Sequence, residues 1–219
     1  MEIWTSNDIY INEHLVKEPF KLKKATAAIR NTSLPQMEVS PAQGKFLYLL
    51  AKIRGAKRIL EIGTFYGYST MWFAKAVPDD GIVISLELNR NFVAIAQDNI
   101  DSAGFTNKVT LLQGDATDTL NKLVEGKTEP FDMIFIDAHK PSYLEYLKLS
   151  IKLSKSGTVI CGDNVILDGE LSNMFNTNPK VASLRQFIEE LGELVNLEST
   201  AMQTVGIKGY DGFTFSIVK

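Results

Sequence analysis

One cysteine, Cys161, is the only thiol in the 219 residues. No disulfide can form within the chain, and a reducing compartment is the simpler expectation. Positive charge is not in excess either: 23 Lys and Arg stand against 26 Asp and Glu, a formal net charge of -3. That balance leaves no electrostatic footprint for nucleic acid or for an anionic membrane surface. No uninterrupted apolar run approaches the roughly 20 residues of a membrane-spanning helix. The opening MEIWTSNDIY lacks a basic stretch followed by an apolar one, so it does not read as a secretory signal. A cytoplasmic protein is expected. Internal repeats, low-complexity tracts and long polar linkers are absent too. With 45% hydrophobic residues there is material for one large core, and residues 1–219 are expected to form one domain.

What is present is a rhythm. Residues 1–39 mix apolar and charged positions and predict a helical cover, with a role in substrate or dimer contacts. Ser40-Pro41 reads as a helix N-cap followed by proline at the first helical position. Then short apolar runs predict strands over 57–63, 81–88, 108–115, 131–137 and 157–164. Between them, helical periodicity covers 68–77, 91–104, 116–124, 143–154 and 180–194. The terminal FTFSIVK alternates with period two, as an antiparallel edge strand would. Strands alternating with helices predict an α/β fold: a mostly parallel sheet, helices on both faces and an antiparallel C-terminal strand. Ligands of such sheets sit outside the carboxyl ends of the strands.

Those ends are polar. The first strand closes in Glu61-Ile62-Gly63 and continues TFYGYS; the others close in Glu87, in Gly114-Asp115-Ala116, in Asp137, and in Asp163-Asn164. The glycines of EIGTFYGYS let backbone approach a ligand closely. The turn is not the G-x-G-x-x-G that receives a pyrophosphate. An acid at the end of the next strand, Glu87, can accept from both hydroxyls of a ribose. Together these features predict a nucleoside ligand without a diphosphate, and they weaken the reading of a nicotinamide-dependent oxidoreductase.

The segment FDMIFIDAHKPSY poses a separate question, because a strand that looks buried ends in Asp137, His139 and Lys140. Adjacent parallel strands lie about 4.8 Å apart. Asp137 and Asp163 at neighbouring strand ends would repel unless something positive stood between them. With the Asn164 amide oxygen they make a hard donor set suited to Mg²⁺, Mn²⁺ or Ca²⁺ rather than zinc. The bland alternative is that these residues only cap turns, and that Lys140 is a solvated turn lysine.

The ordered series EIGTFYGYS, SLE, GDA, FIDAHKPSY and CGDN resembles the metal-dependent S-adenosylmethionine O-methyltransferases of the caffeoyl-CoA and catechol type, bacterial members above all, from about Pro35 to the C-terminus. The resemblance implies a seven-stranded Rossmann-like sheet, S-adenosylmethionine as methyl donor, a divalent cation (commonly Mg²⁺), a phenolic acceptor with two adjacent hydroxyls and a homodimer. It also implies roles. Val39, Glu61, Gly63, Thr64, Ser69, Glu87, Ala116, Asp137 and His139 would contact the donor. Asp137, Asp163 and Asn164 would ligate the cation. Lys140 would be the catalytic base beside Asp137, and Asp168 would meet the acceptor. His139 departs from the plant caffeoyl-CoA pattern, which commonly has Asp there. No residue of the chain is assignable to CoA recognition. A non-catechol acceptor, a small molecule or RNA, is the alternative, and the acidic balance disfavours RNA.

Overall fold

The computed structural model describes residues 2–30 and 36–219; Met1 and residues 31–35, with the Pro35 at which the resemblance begins, lie outside the described residues. Five apolar segments pair in parallel: β1 (Arg58–Ile62), β2 (Ile82–Glu87), β3 (Val109–Gln113), β4 (Phe131–Ile136) and β5 (Ser154–Asp163). Two more strands, β6 (Leu197–Gly206) and β7 (Gly209–Val218), complete the order β3-β2-β1-β4-β5-β7-β6. The helices are α1 (Ile3–Ile11), running into a π-helical turn (Asn12–Val16), α2 (Phe20–Arg30), α3 (Pro41–Arg54), α4 (Tyr68–Ala76), α5 (Arg90–Ala103), α6 (Ala116–Glu125), α7 (Tyr143–Lys152) and α8 (Pro179–Glu193).

Alternation along the strands sorts the core into two layers. Ile59, Val83, Met133, Phe135 and Cys161 face one side, with Trp72 and Phe73 of α4 and Leu47 of α3. Leu60, Ile62, Leu86, Ile134 and Ile136 face the other, with Leu147 of α7 and Leu184 and Phe187 of α8. The predicted N-cap is in place: Ser40 Oγ accepts from the Gln43 amide at 3.1 Å, with Pro41 at the first helical position.

The C-terminal strand differs from its expectation. β7 is not an edge, because it lies between β5 and β6 and pairs antiparallel with both. The edge is β6. Its sequence LESTAMQTVG carries no apolar alternation, because nearly all its side chains are exposed.

The strand order reverses between β1 and β4, and at such a switch point a crevice opens at the carboxyl ends. Gly63 makes that opening possible. It adopts a φ of 102°, and a Cβ there would collide with the Asp137 carbonyl oxygen. The ends of β1 and β4 can therefore run side by side only with glycine at this position.

Candidate active site

A cavity of about 860 Å³ lies over the carboxyl ends of β1, β2, β4 and β5. One half is built on β1 and β2. Gly63, Thr64 and Ser69 line it together with Glu87, Ala116 and Val39. Glu87 also shapes the glycine-rich turn: one carboxylate oxygen accepts from the amides of Thr64 and Phe65, at 3.3 and 2.9 Å, and the other from Asn89 at 2.8 Å. Asp115 caps α6 by accepting from the Asp118 amide, which sets Ala116 at the cavity wall.

Glu61 is placed differently. It is fully buried and does not line the cavity. In register with Ser85 of β2, its carboxylate accepts from Ser69 Oγ and Ser85 Oγ, each at 2.5 Å, and from Thr70 Oγ1. Thus Glu61 stands behind Ser69 and fixes it. Burial pushes the Glu61 carboxyl up to about 7 against the pull of the three hydroxyls. An acid raised in the folded state stabilises the fold fully below its unfolded value near 4.5, and that contribution is gone above about 7. We expect the stability difference between the parent and Glu61→Gln to change by about 3 kcal/mol over that window, at 1.36 kcal/mol per pH unit. Urea titrations at several pH values measure it, and a flat difference would mean that Glu61 titrates as an ordinary carboxyl.

The other half of the cavity is built on β4 and β5. Asp137, Lys140, Asp163 and Asn164 all line it. Lys140 Nζ stands 3.3 Å from Asp137 Oδ1, 3.4 Å from Asn164 Oδ1 and 3.0 Å from the Asp163 carbonyl oxygen. It also donates to the Tyr143 hydroxyl at 2.5 Å. That hydroxyl is buried against the carbonyl oxygens of Ile136 and Asp163, at 3.1 and 2.8 Å, so it ties together the ends of β4 and β5. Burial and the Asp137 charge raise the Asp163 carboxyl, while Lys140 opposes them. His139 lines the rim, with Nδ1 3.3 Å from Ser142 Oγ.

Asp168 is exposed and does not line the cavity. The chain turns after β5 through Asn164, Leu167 and Asp168, all with φ between 50° and 54°. Asp211 of β7 holds the turn by accepting from the amides of Ile166 and Leu167, at 2.9 and 3.2 Å. Asp211 and Leu167 face the cavity where Asp168 was expected. Left-handed backbone outside glycine costs of order 1–3 kcal/mol per residue and gathers at functional sites.

Sequence reasoning missed Asp211, Tyr143 and Gln43. Gln43 lines the cavity and donates from Nε2 to Asp163 Oδ1 at 2.7 Å. The signal for Tyr143 was its spacing three residues after Lys140 on one helical turn; Asp211 and Gln43 come from elements distant in sequence and gave none.

A Rossmann-like sheet with a cavity at its switch point, Glu87 at the end of β2 and Lys140 among oxygens at the ends of β4 and β5 fit a nucleoside-cofactor enzyme of the methyltransferase kind. The comparisons agree. The O-methyltransferase family model matches residues 12–215. A catechol O-methyltransferase of Niastella koreensis is 46% identical over 218 residues, covering 100% of this chain and 99% of that protein. Caffeoyl-CoA O-methyltransferase 1 of Eucalyptus globulus is 34% identical over 82% of this chain and 71% of its own length. The crystal structure of an O-methyltransferase from Bacillus cereus in complex with SAH superposes with a TM-score of 0.95 at 42% identity, covering 99% and 98% of the two chains. The chain belongs to the O-methyltransferase family, and S-adenosylmethionine is its methyl donor.

Proposed function

We propose that the chain, as one catalytic domain, transfers the methyl group of S-adenosylmethionine to one hydroxyl of a catechol-like ortho-diphenol, with a divalent cation held by Asp137, Asp163 and Asn164. The observation that carries this is the position of Lys140 Nζ, a cation within 3.4 Å of the side-chain oxygens of Asp137 and Asn164 and 3.0 Å from the backbone carbonyl oxygen of Asp163. Among the described residues no three His, Cys, Asp or Glu side chains gather as a metal-binding set. The fit rests on two carboxylates with an amide oxygen, a hard set that suits Mg²⁺. The names of the relatives, catechol and caffeoyl-CoA O-methyltransferase, support a small phenolic acceptor.

The residues then divide the work. Glu87 accepts from the ribose hydroxyls, Ser69 is held by Glu61 for the amino-acid end of the donor, and the backbone at Val39 and Ala116 meets the remainder. A bound divalent cation would supply charge that favours a phenolate, and open positions for two adjacent oxygens. Asp137, Asp163 and Asn164 would hold it and thereby orient the acceptor. Lys140 Nζ, once it has given up its own proton, takes that of the reacting hydroxyl. The oxygen attacks the donor methyl carbon, the carbon–sulfur bond breaks with its electron pair left on sulfur, and a methyl ether and S-adenosylhomocysteine result. A screen of ortho-diphenols against matched monophenols with labelled donor, with and without Mg²⁺, tests this. Turnover of the ortho-diphenol alone, dependent on Mg²⁺, is expected; equal turnover of the monophenol would remove chelation from the reading.

Two further parts belong to the same proposal. A cytoplasmic location rests on the single buried thiol, Cys161; among the described residues no helix is long and apolar enough to cross a membrane. A homodimer is supported by apolar side chains on the open face of α3 and β7, Phe46, Leu49, Ile53 and Ile217. A monomer mass by light scattering would remove that part.

A further inference from the structure

We propose that Gln43 is a positioning residue for the cation site, holding the Asp163 carboxylate by one oxygen so that the other is presented to the cation. This rests on the metal reading above and adds to it a residue from outside the strand ends. Gln43 lies 120 positions before Asp163 in the chain, yet its Nε2 stands 2.7 Å from Asp163 Oδ1. Asp163 is only 3% exposed, so the direction of its carboxylate is set by what it can bond to.

Two local features bring the amide there. Ser40 caps the helix through the Gln43 backbone amide, which fixes the first turn of α3. Gly44, the next residue, lets α3 lie directly against α4, because a Cβ at that position would run into the Trp72 indole. Close helix packing thus delivers Gln43 to the end of β5.

The chemistry of the side chain fits the task. An amide N–H satisfies one carboxylate oxygen and leaves the negative charge in place. A lysine or arginine would cancel that charge and compete with the cation, and a glutamate would repel the carboxylate. Partners of this kind orient metal ligands, and their loss typically costs about 10–100-fold in metal affinity or activity.

The test is Mn²⁺ binding to the full chain, followed by electron paramagnetic resonance of the free ion, for the parent and for Gln43→Met, which keeps the length and removes the donor. The expected result is Mn²⁺ affinity about tenfold weaker, with the KM for Mn²⁺ raised in proportion and kcat at saturating Mn²⁺ returning to the parent value. Should Gln43→Met fail to fold, Gln43→Ala makes the same comparison by trimming the side chain toward the open cavity. Parent-like Mn²⁺ affinity in the folded variant overturns the proposal, as does a kcat that stays low at saturation. A parent protein that binds no Mn²⁺ overturns the metal reading itself, a different outcome from the other two.

Discussion

Methyl transfer by the Asp163→Ala variant falls to background, and added Mg²⁺ or Mn²⁺ does not restore it. In the parent, EDTA should give the same loss, and there the added ion should restore activity. The contrast follows from the site. EDTA removes only the cation, whereas the substitution removes a charged ligand together with the acceptor of the Gln43 amide. The fold should survive, because Asp163 is the last residue of β5 and lines the cavity. Burial, and after it the Asp137 charge, raise the Asp163 carboxyl in the metal-free protein, so a charged Asp163 is held there at a cost. Deleting one of two like charges relieves it, and the variant should unfold at the same temperature as the metal-free parent or slightly above. Donor affinity should be largely kept, since Glu87 and Ser69 stand in the other half of the cavity. Full activity in EDTA or in Asp163→Ala would refute a cation in the mechanism and leave the donor site standing by itself.

The parallel half of the sheet was legible in the sequence, because strands buried on both faces must be largely apolar, and β4 is buried at every position with Asp132 its one charged residue. For the same reason an acid at such a strand's end is conspicuous, and Asp137, Asp163 and Glu87 could be picked out before any coordinates. β6 was not legible: an exposed edge strand needs no apolar residues, and Met202 and Val205 are more than half exposed. Glu61 shows another limit. Its position at the end of β1 placed it with the donor residues, but alternation turns its side chain off the cavity and into the hydroxyls of Ser69, Thr70 and Ser85. Register, and not residue type, made that difference. Asp168 and Asp211 show a third. Departures into left-handed backbone at Asn164, Leu167 and Asp168 decide which acid faces the cavity, and the β7 carboxylate of Asp211 holds the turn between them. Composition and spacing reveal neither.

Lys140→Met should lower kcat by about 10²–10⁴-fold, the usual contribution of a positioned general base. Two roles for Lys140 are compatible with its place in the site. As a charge, it neutralises Asp137 and Asp163 and keeps the metal-free site together, in line with its 3.3 Å contact to Asp137 Oδ1. As a base, it removes the proton of the reacting hydroxyl. Lys140→Arg separates the two, since a guanidinium keeps the charge but stays protonated in proteins. Under the base reading Lys140→Arg is as slow as Lys140→Met in single-turnover methyl transfer. Under the charge reading it recovers most of the rate, and recovery to within about tenfold of the parent would end the assignment of Lys140 as base. Mn²⁺ binding supplies an independent check. Lys140→Met removes a positive group that shares oxygens with the cation, so it should bind Mn²⁺ at least as tightly as the parent, while Lys140→Arg should not gain. A methionine variant that is slow but binds Mn²⁺ well has lost its chemistry and kept its site, which is the result the base assignment requires.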